Sequence, residues 1–144
     1  MAQAQNCENH AMYVPAFHFV AIPIFTLNVG WSIYRVAHVF SGDTVIALLV
    51  AVALLLLAFN ARIFALKVQD RVIRLEMHLR LKQLLPAELQ PRIQEFTVGQ
   101  LVSLRFASDA ELPDLARKVL DEKLSDRKTI KKLIRNWQPD FLRA

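Results

Sequence analysis

Residues 44–85 read TVIALLVAVALLLLAFNARIFALKVQDRVIRLEMHLRLKQLL, and this stretch decides the fold. It holds neither Gly nor Pro, so nothing interrupts a helix of roughly 40 residues, about 60 Å long. Its two halves differ chemically. Val45 to Phe59 is fifteen consecutive apolar residues, inside a charge-free window of eighteen from Thr44 to Ala61. Such a helix rises about 27 Å, enough for a thin bilayer core, and Arg62 can snorkel to extend the reach.

Beyond Arg62 the surface is patterned. Ala61, Ala65, Val68, Val72, Leu75 and Leu79 recur at alternating steps of four and three. That is the spacing of a coiled-coil seam, here under three heptads long. Leu66, Ile73, Met77 and Leu84 form a second apolar stripe on another side. A helix with two apolar stripes has two neighbours. The chain's own C-terminal helices supply one. A second copy or a different membrane subunit supplies the other, unless the tail wraps round and covers both. Asp70/Arg74 and Glu76/Arg80 stand at pairing distance along the helix, a matter of about 0.2–0.5 kcal/mol each.

Upstream, no charged residue occurs from Asn9 to Tyr34, and the most apolar part is Val14 to Ile33. Twenty residues cover roughly 30 Å. Tyr13, Trp31 and Tyr34 sit near its ends as an aromatic belt would place them, and Arg35 marks an interface. Pro23 lacks a donor and predicts a kink. The two apolar runs are joined by Phe40-Ser41-Gly42-Asp43-Thr44. Gly42 reads as the break after the first helix and Ser41 or Asp43 as the cap of the next. So short a link predicts an antiparallel hairpin. A cleaved signal peptide is disfavoured: there is no basic leader, and a second apolar run follows at once.

Charge gives the orientation. Of 18 Lys and Arg only Arg35 precedes residue 61, and of 13 Asp and Glu only Glu8 and Asp43 do. The first part carries −1 and the remainder +6, summing to the chain's +5. Arg62, Lys67, Arg71, Arg74, Arg80 and Lys82 all fall near the end of the second run, where the positive-inside bias operates. The tail is therefore expected in the cytoplasm, and a hairpin puts the N-terminus there too.

The tail carries repeated helix punctuation. Pro86 ends the long helix, and Pro86 or Pro91 opens a short one leading to Phe96. Thr97-Val98-Gly99-Gln100 has capping-box spacing, and Ser108-Asp109-Ala110-Glu111 repeats the signal. Ser125-Asp126 opens a last helix that places Ile130, Leu133, Ile134 and Trp137 on one side. About sixty residues make a small core that needs the long helix to pack on. No strand pattern is visible.

Candidate functional residues are few. His18 in the first span could serve as an axial ligand, since neutral imidazole binds metals and haems. One His on one span is more simply an interfacial residue, and His38 lies too far along the same helix to share a metal with it. No cofactor is expected. The basic last helix, with Lys128, Lys131 and Lys132, reads as a solvated face or as a surface for anionic lipid headgroups alongside Arg62, Lys67, Arg71 and Arg74. Nucleic acid is disfavoured, for want of interleaved aromatics or a known motif. Cys7 is alone and reads as a bystander thiol. There is no P-loop, Gly-rich dinucleotide turn, HExxH or Cys cluster, so no catalytic activity is expected. Glu88, Glu95, Asp114, Asp121 and Glu122 read as solvated carboxylates.

Four segments carry a resemblance. Met12-Tyr13-Val14-Pro15 with Phe17-His18-Phe19, the run Ala65 to Glu76, the run Leu104 to Pro113, and Ile130 to Arg135 resemble a family of small bacterial membrane proteins catalogued only as a domain of unknown function. The resemblance covers most of the chain. It implies a bacterial inner-membrane location and two spans, and brings no activity or site residues.

The expected architecture is all-α. A membrane hairpin occupies residues 1–61, with spans at about 14–34 and 44–61. The second span continues into a stalk over 62–85, and a small bundle of short helices fills 86–144. The expected role is a non-catalytic inner-membrane protein acting through contact with itself or with another subunit; the alternatives are a cofactor- or pigment-binding membrane subunit using His18 and a membrane-tethered binder of anionic lipid or nucleic acid through the basic last helix.

Overall fold

The computed structural model describes residues 13–140, and Cys7 lies outside them. A π-helical stretch, Ala16–Ala21, runs into α1, Ile22–His38. Helix α2 is Gly42–Leu84, 43 residues without a break. A 3₁₀ segment, Gln90–Glu95, follows. Then come α3 (Val98–Leu104), α4 (Leu112–Asp121) and α5 (Arg127–Lys132). The fold is all-helical, with two long apolar helices followed by shorter ones. The described chain divides into two units within α2, one ending at Lys67 and the other beginning at Val68.

In the first unit Pro23 sits at the start of α1, directly after the π-helical turns. The missing proline donor takes effect as a change of register rather than a simple kink. Ile22 N–H bonds to the carbonyl of Phe17, five residues back. The turn after α1 is closed by Ser41 and Thr44. Ser41 N–H donates to Thr44 Oγ1 at 3.0 Å, and Thr44 N–H donates to Ser41 Oγ at 3.3 Å. Thr44 Oγ1 also donates to the carbonyl of Val39 at 2.9 Å. Ser41, not Asp43, is thus the cap, and Gly42 opens α2 instead of ending α1.

In the second unit the inner face of α2 anchors the core. Ile73, Met77, Leu81 and Leu85 are buried with Leu89, Ile93, Phe96, Leu101, Leu104, Leu112, Val119 and Ile130. At the C-terminal end of α2, Leu85 N–H donates to Leu81 O at 2.9 Å, and Gln90 Nε2 donates to Lys82 O at 2.9 Å and to Leu85 O, just past the helix, at 3.2 Å. The capping box at Thr97 and Gln100 forms as the spacing predicts. Gln100 goes further, and its Nε2 donates to Leu124 O at 2.8 Å, fixing the lead-in to α5. Gly99 is where α3 needs room: a Cβ there would stand 3.0 Å from Arg127 Nε.

The capping box at Ser108 and Glu111 forms only in part: Ser108 N–H donates to Glu111 Oε1 at 3.4 Å, but the Ser108 hydroxyl is buried without a hydrogen-bond partner among the described residues. The expectation that α5 reaches Trp137 fails, because the Glu111 carboxylate also accepts from the backbone N–H groups of Arg135 and Asn136 at 3.1–3.3 Å. Helix α5 ends at Lys132, and the chain turns into an isolated bridge between Ala107 and Trp137. Trp137 then stacks on the buried Phe106, with ring centroids 4.4 Å apart.

Candidate functional site: the outer face of α2

The two stripes of α2 have opposite fates. A helix turns about 100° per residue. Val68, Val72, Leu75 and Leu79 therefore fall within one narrow sector, and Ile73, Met77, Leu81 and Leu84 lie about half a turn away. Ile73 and Met77 are 5% and 2% exposed and belong to the core. Leu84 packs against that core too. Those three residues of the second stripe are therefore not an interaction surface for a partner; the chain's own tail covers them. Leu66, the fourth, lies outside that core and remains exposed. On the other face Val68, Val72, Leu75 and Leu79 are 61%, 49%, 63% and 55% exposed. The tail covers one face only.

Charged residues border the bare face. Arg71 lies on one flank and Glu76 on the other, both exposed. They stand too far apart around the helix to pair with each other, and among the described residues neither makes an ion pair. Arg80, which helical spacing assigns to Glu76, turns to the tail. Its Nε donates to Asp109 at 2.7 Å, Nη1 to Arg105 O at 3.1 Å, and Nη2 to Ala107 O at 2.6 Å and Gln138 Oε1 at 3.1 Å. Sequence reasoning missed this fork, because its partners lie 25 to 58 residues away.

The remaining candidates are dispersed. His18 lies in the π-helical stretch, half-buried between the rings of Tyr13 and Phe17. Its Nδ1 is 3.0 Å from the Val14 carbonyl oxygen and 3.1 Å from the Val14 amide nitrogen, so Nε2 is the nitrogen a ligand would have to use. Among the described residues no group of three or more His, Cys, Asp and Glu side chains is placed to hold a metal ion. Of the basic residues, Lys67, Arg71, Arg74, Lys128 and Lys132 are exposed and Arg62 is half-buried. Lys131 is half-buried with its Nζ 5.4 Å from the centre of the Phe106 ring, which draws it away from the solvated face. The carboxylates read as solvated are partly structural: Glu88 pairs with Arg117, and Arg92 holds both Glu95 and Asp121.

A family model matches the chain over residues 1–144. The chain belongs to DUF6526, a family of unknown function. No curated protein and no solved structure matches it. Membership in DUF6526 assigns no reaction, so the chemistry must be argued from the side chains. Two surface hollows deserve comparison with the bare α2 face. One, of about 430 Å³, lies between α4 and α5 and mixes Glu111, Asp114, Lys118, Lys132 and Arg135. Glu111 is already committed to backbone amides there. The other, of about 220 Å³, is lined by Asn28, Trp31, Ser32 and Arg35 of α1 and by Asp43, Thr44 and Ala47 of α2. In the second, the Thr44 hydroxyl is committed to the carbonyls of Val39 and Ser41, both at 2.9 Å. The outer α2 face, with Val68, Val72, Leu75 and Leu79 exposed, is the larger departure from what a water-soluble helix shows.

Proposed function

We propose that this DUF6526 member is a non-catalytic integral protein of the bacterial inner membrane that acts through protein–protein contact, with the outer face of α2 as the docking surface. The observation that carries this is the exposure of Val68, Val72, Leu75 and Leu79 on a helix whose opposite face buries Ile73, Met77 and Leu81. Contiguous exposed apolar side chains on a folded unit mark an interaction site.

Membrane insertion is supported by length and by exposure together. Ala16–His38 and the apolar part of Gly42–Leu84 are long and apolar enough to cross a bilayer. A core helix of a soluble protein would bury such a run, whereas here Leu49, Leu56, Leu57 and Phe59 are exposed. Between Val45 and Phe59 there are eleven Val, Ile, Leu and Phe residues. At about −0.3 to −0.6 kcal/mol each they favour insertion by roughly 3–7 kcal/mol. The basic residues after the second span support a cytoplasmic tail through the positive-inside bias, and a two-span hairpin would return the N-terminus to the same side.

Purification in mild detergent with a mass measurement tests the reading. The expected result is a species heavier than one chain, from self-association or a co-purifying subunit. A stable monomer with no partner would sink it.

A further inference from the structure

We infer that the partner on the outer face of α2 is a second copy of this chain, docked in parallel about a two-fold axis, with Arg71 of each copy paired to Glu76 of the other. This rests on the membrane-anchored docking reading above and names its partner.

The seam spacing assigns core positions: Val68 and Leu75 at d, Val72 and Leu79 at a. Arg71 then occupies the g position and Glu76 the following e position. In a parallel pair of helices, g of one chain meets the next e of the other, five residues on. Arg71 and Glu76 stand five apart, carry opposite charge, are both exposed, and lie on opposite flanks of the seam. A two-fold axis therefore creates two complementary pairs at once. Of the seam layers, Val72 at a with Leu75 at d is the choice that favours two strands, while Val68 at d and Leu79 at a add no such preference. An antiparallel pair would set g against g and e against e, which loses the complementarity. Two copies inserted the same way in one bilayer already run parallel.

The seam is short, and Lys82 at the next d position ends it by repulsion. Coiled coils sustained in water need three to four heptads. Confinement of both copies to one membrane supplies the local concentration that the seam length does not.

The test is disulfide cross-linking of the full chain in native membranes, with Cys7→Ser as background so that only introduced thiols report. Val72→Cys and Leu75→Cys should each cross-link to themselves as dimers. Arg74→Cys, exposed but off the seam, should not. Arg71→Glu alone makes both pairs repulsive, and Glu76→Arg alone does the same. Each should lower the Leu75→Cys dimer yield roughly tenfold. The double exchange Arg71→Glu/Glu76→Arg should restore it, which a misfolded chain could not do. No self-cross-link at either seam position, a preferred Val72–Leu75 cross-link, or no rescue by the double exchange overturns the parallel dimer. A photocross-linker at Leu75 separates the two readings. Capture of a different polypeptide there removes the second copy and keeps docking, and capture of nothing removes both.

Discussion

Arg80→Ala separates two accounts of the same residue by magnitude. If Arg80 served only as the helical partner of Glu76, its loss would cost about 0.2–0.5 kcal/mol. The structure instead gives it four hydrogen bonds to the tail. The Asp109 carboxylate is 63% exposed, so that ion pair contributes little. The bonds to the Arg105 and Ala107 carbonyls are partly buried, and Arg80 itself is only 21% exposed. Hydrogen bonds to a charged donor contribute roughly 1.5–3 kcal/mol each, so the two carbonyls alone predict a loss of about 3–6 kcal/mol. Trp137, stacked on Phe106 one turn from this fork, is a natural reporter. In a Trp31→Phe background, Trp137 fluorescence followed through denaturant in detergent should show Arg80→Ala unfolding far earlier. Glu76→Ala should stay within about 0.5 kcal/mol of the parent. Arg80→Lys should fall between, because an ammonium keeps the charge and loses the fork. A result in which Arg80→Ala costs no more than Glu76→Ala would refute the latch.

Two further outcomes follow from other parts of the molecule. His78 has Nε2 buried without a partner, and burial first, then the charges of Arg74 and Lys82, hold its pKa below the usual 6.5. The unfolded chain therefore takes up the proton more readily. The contribution is complete above about pH 6.5 and is lost as pH falls below it, so stability measured from about pH 7 to 5 should decline, and His78→Gln should flatten that slope. In the second apolar run, Val52→Arg with Leu55→Arg adds about 5–7 kcal/mol against a favourable sum of roughly 3–7, so the second run should fail to insert while the first span keeps the chain in the membrane; a Lys128→Cys thiol in a Cys7→Ser background should then become labelled by an impermeant maleimide from the outer side, and unchanged labelling would argue against a transmembrane second helix.

The length of α2 was legible because residues 44–85 contain no helix breaker, and the caps at Ser41 and Thr97 were legible because capping is local chemistry. What escaped the sequence is long-range. Trp137 continues the apolar spacing of α5, but the amides of Arg135 and Asn136 are claimed by Glu111, some 25 residues earlier. Two bonds to a carboxylate outweigh one more turn of a six-residue helix. Arg80 follows the same logic, since a fork satisfying two carbonyls outweighs one exposed helical ion pair. The two apolar stripes of α2 were visible, but periodicity is symmetric between them. Only the packing of α3 to α5 decides which stripe is core.

That decision also sets the strength of any partner contact. Full burial of a Leu, Ile or Met side chain is worth about 1.5–3 kcal/mol, and the side chains of the outer stripe are about half exposed. Covering Val68, Val72, Leu75 and Leu79 on both copies of a pair, eight side chains in all, therefore gains roughly 6–12 kcal/mol. Bringing two free molecules together from dilute solution costs about 4–15 kcal/mol. The gain lies within the range of that cost, so the seam can pair chains at the concentration of a purified detergent sample, and pairs them more firmly where a membrane already holds them in one plane and one direction. Association through α2 should accordingly weaken as detergent dilutes the protein, in proportion to the loss of that confinement rather than to any change in the seam.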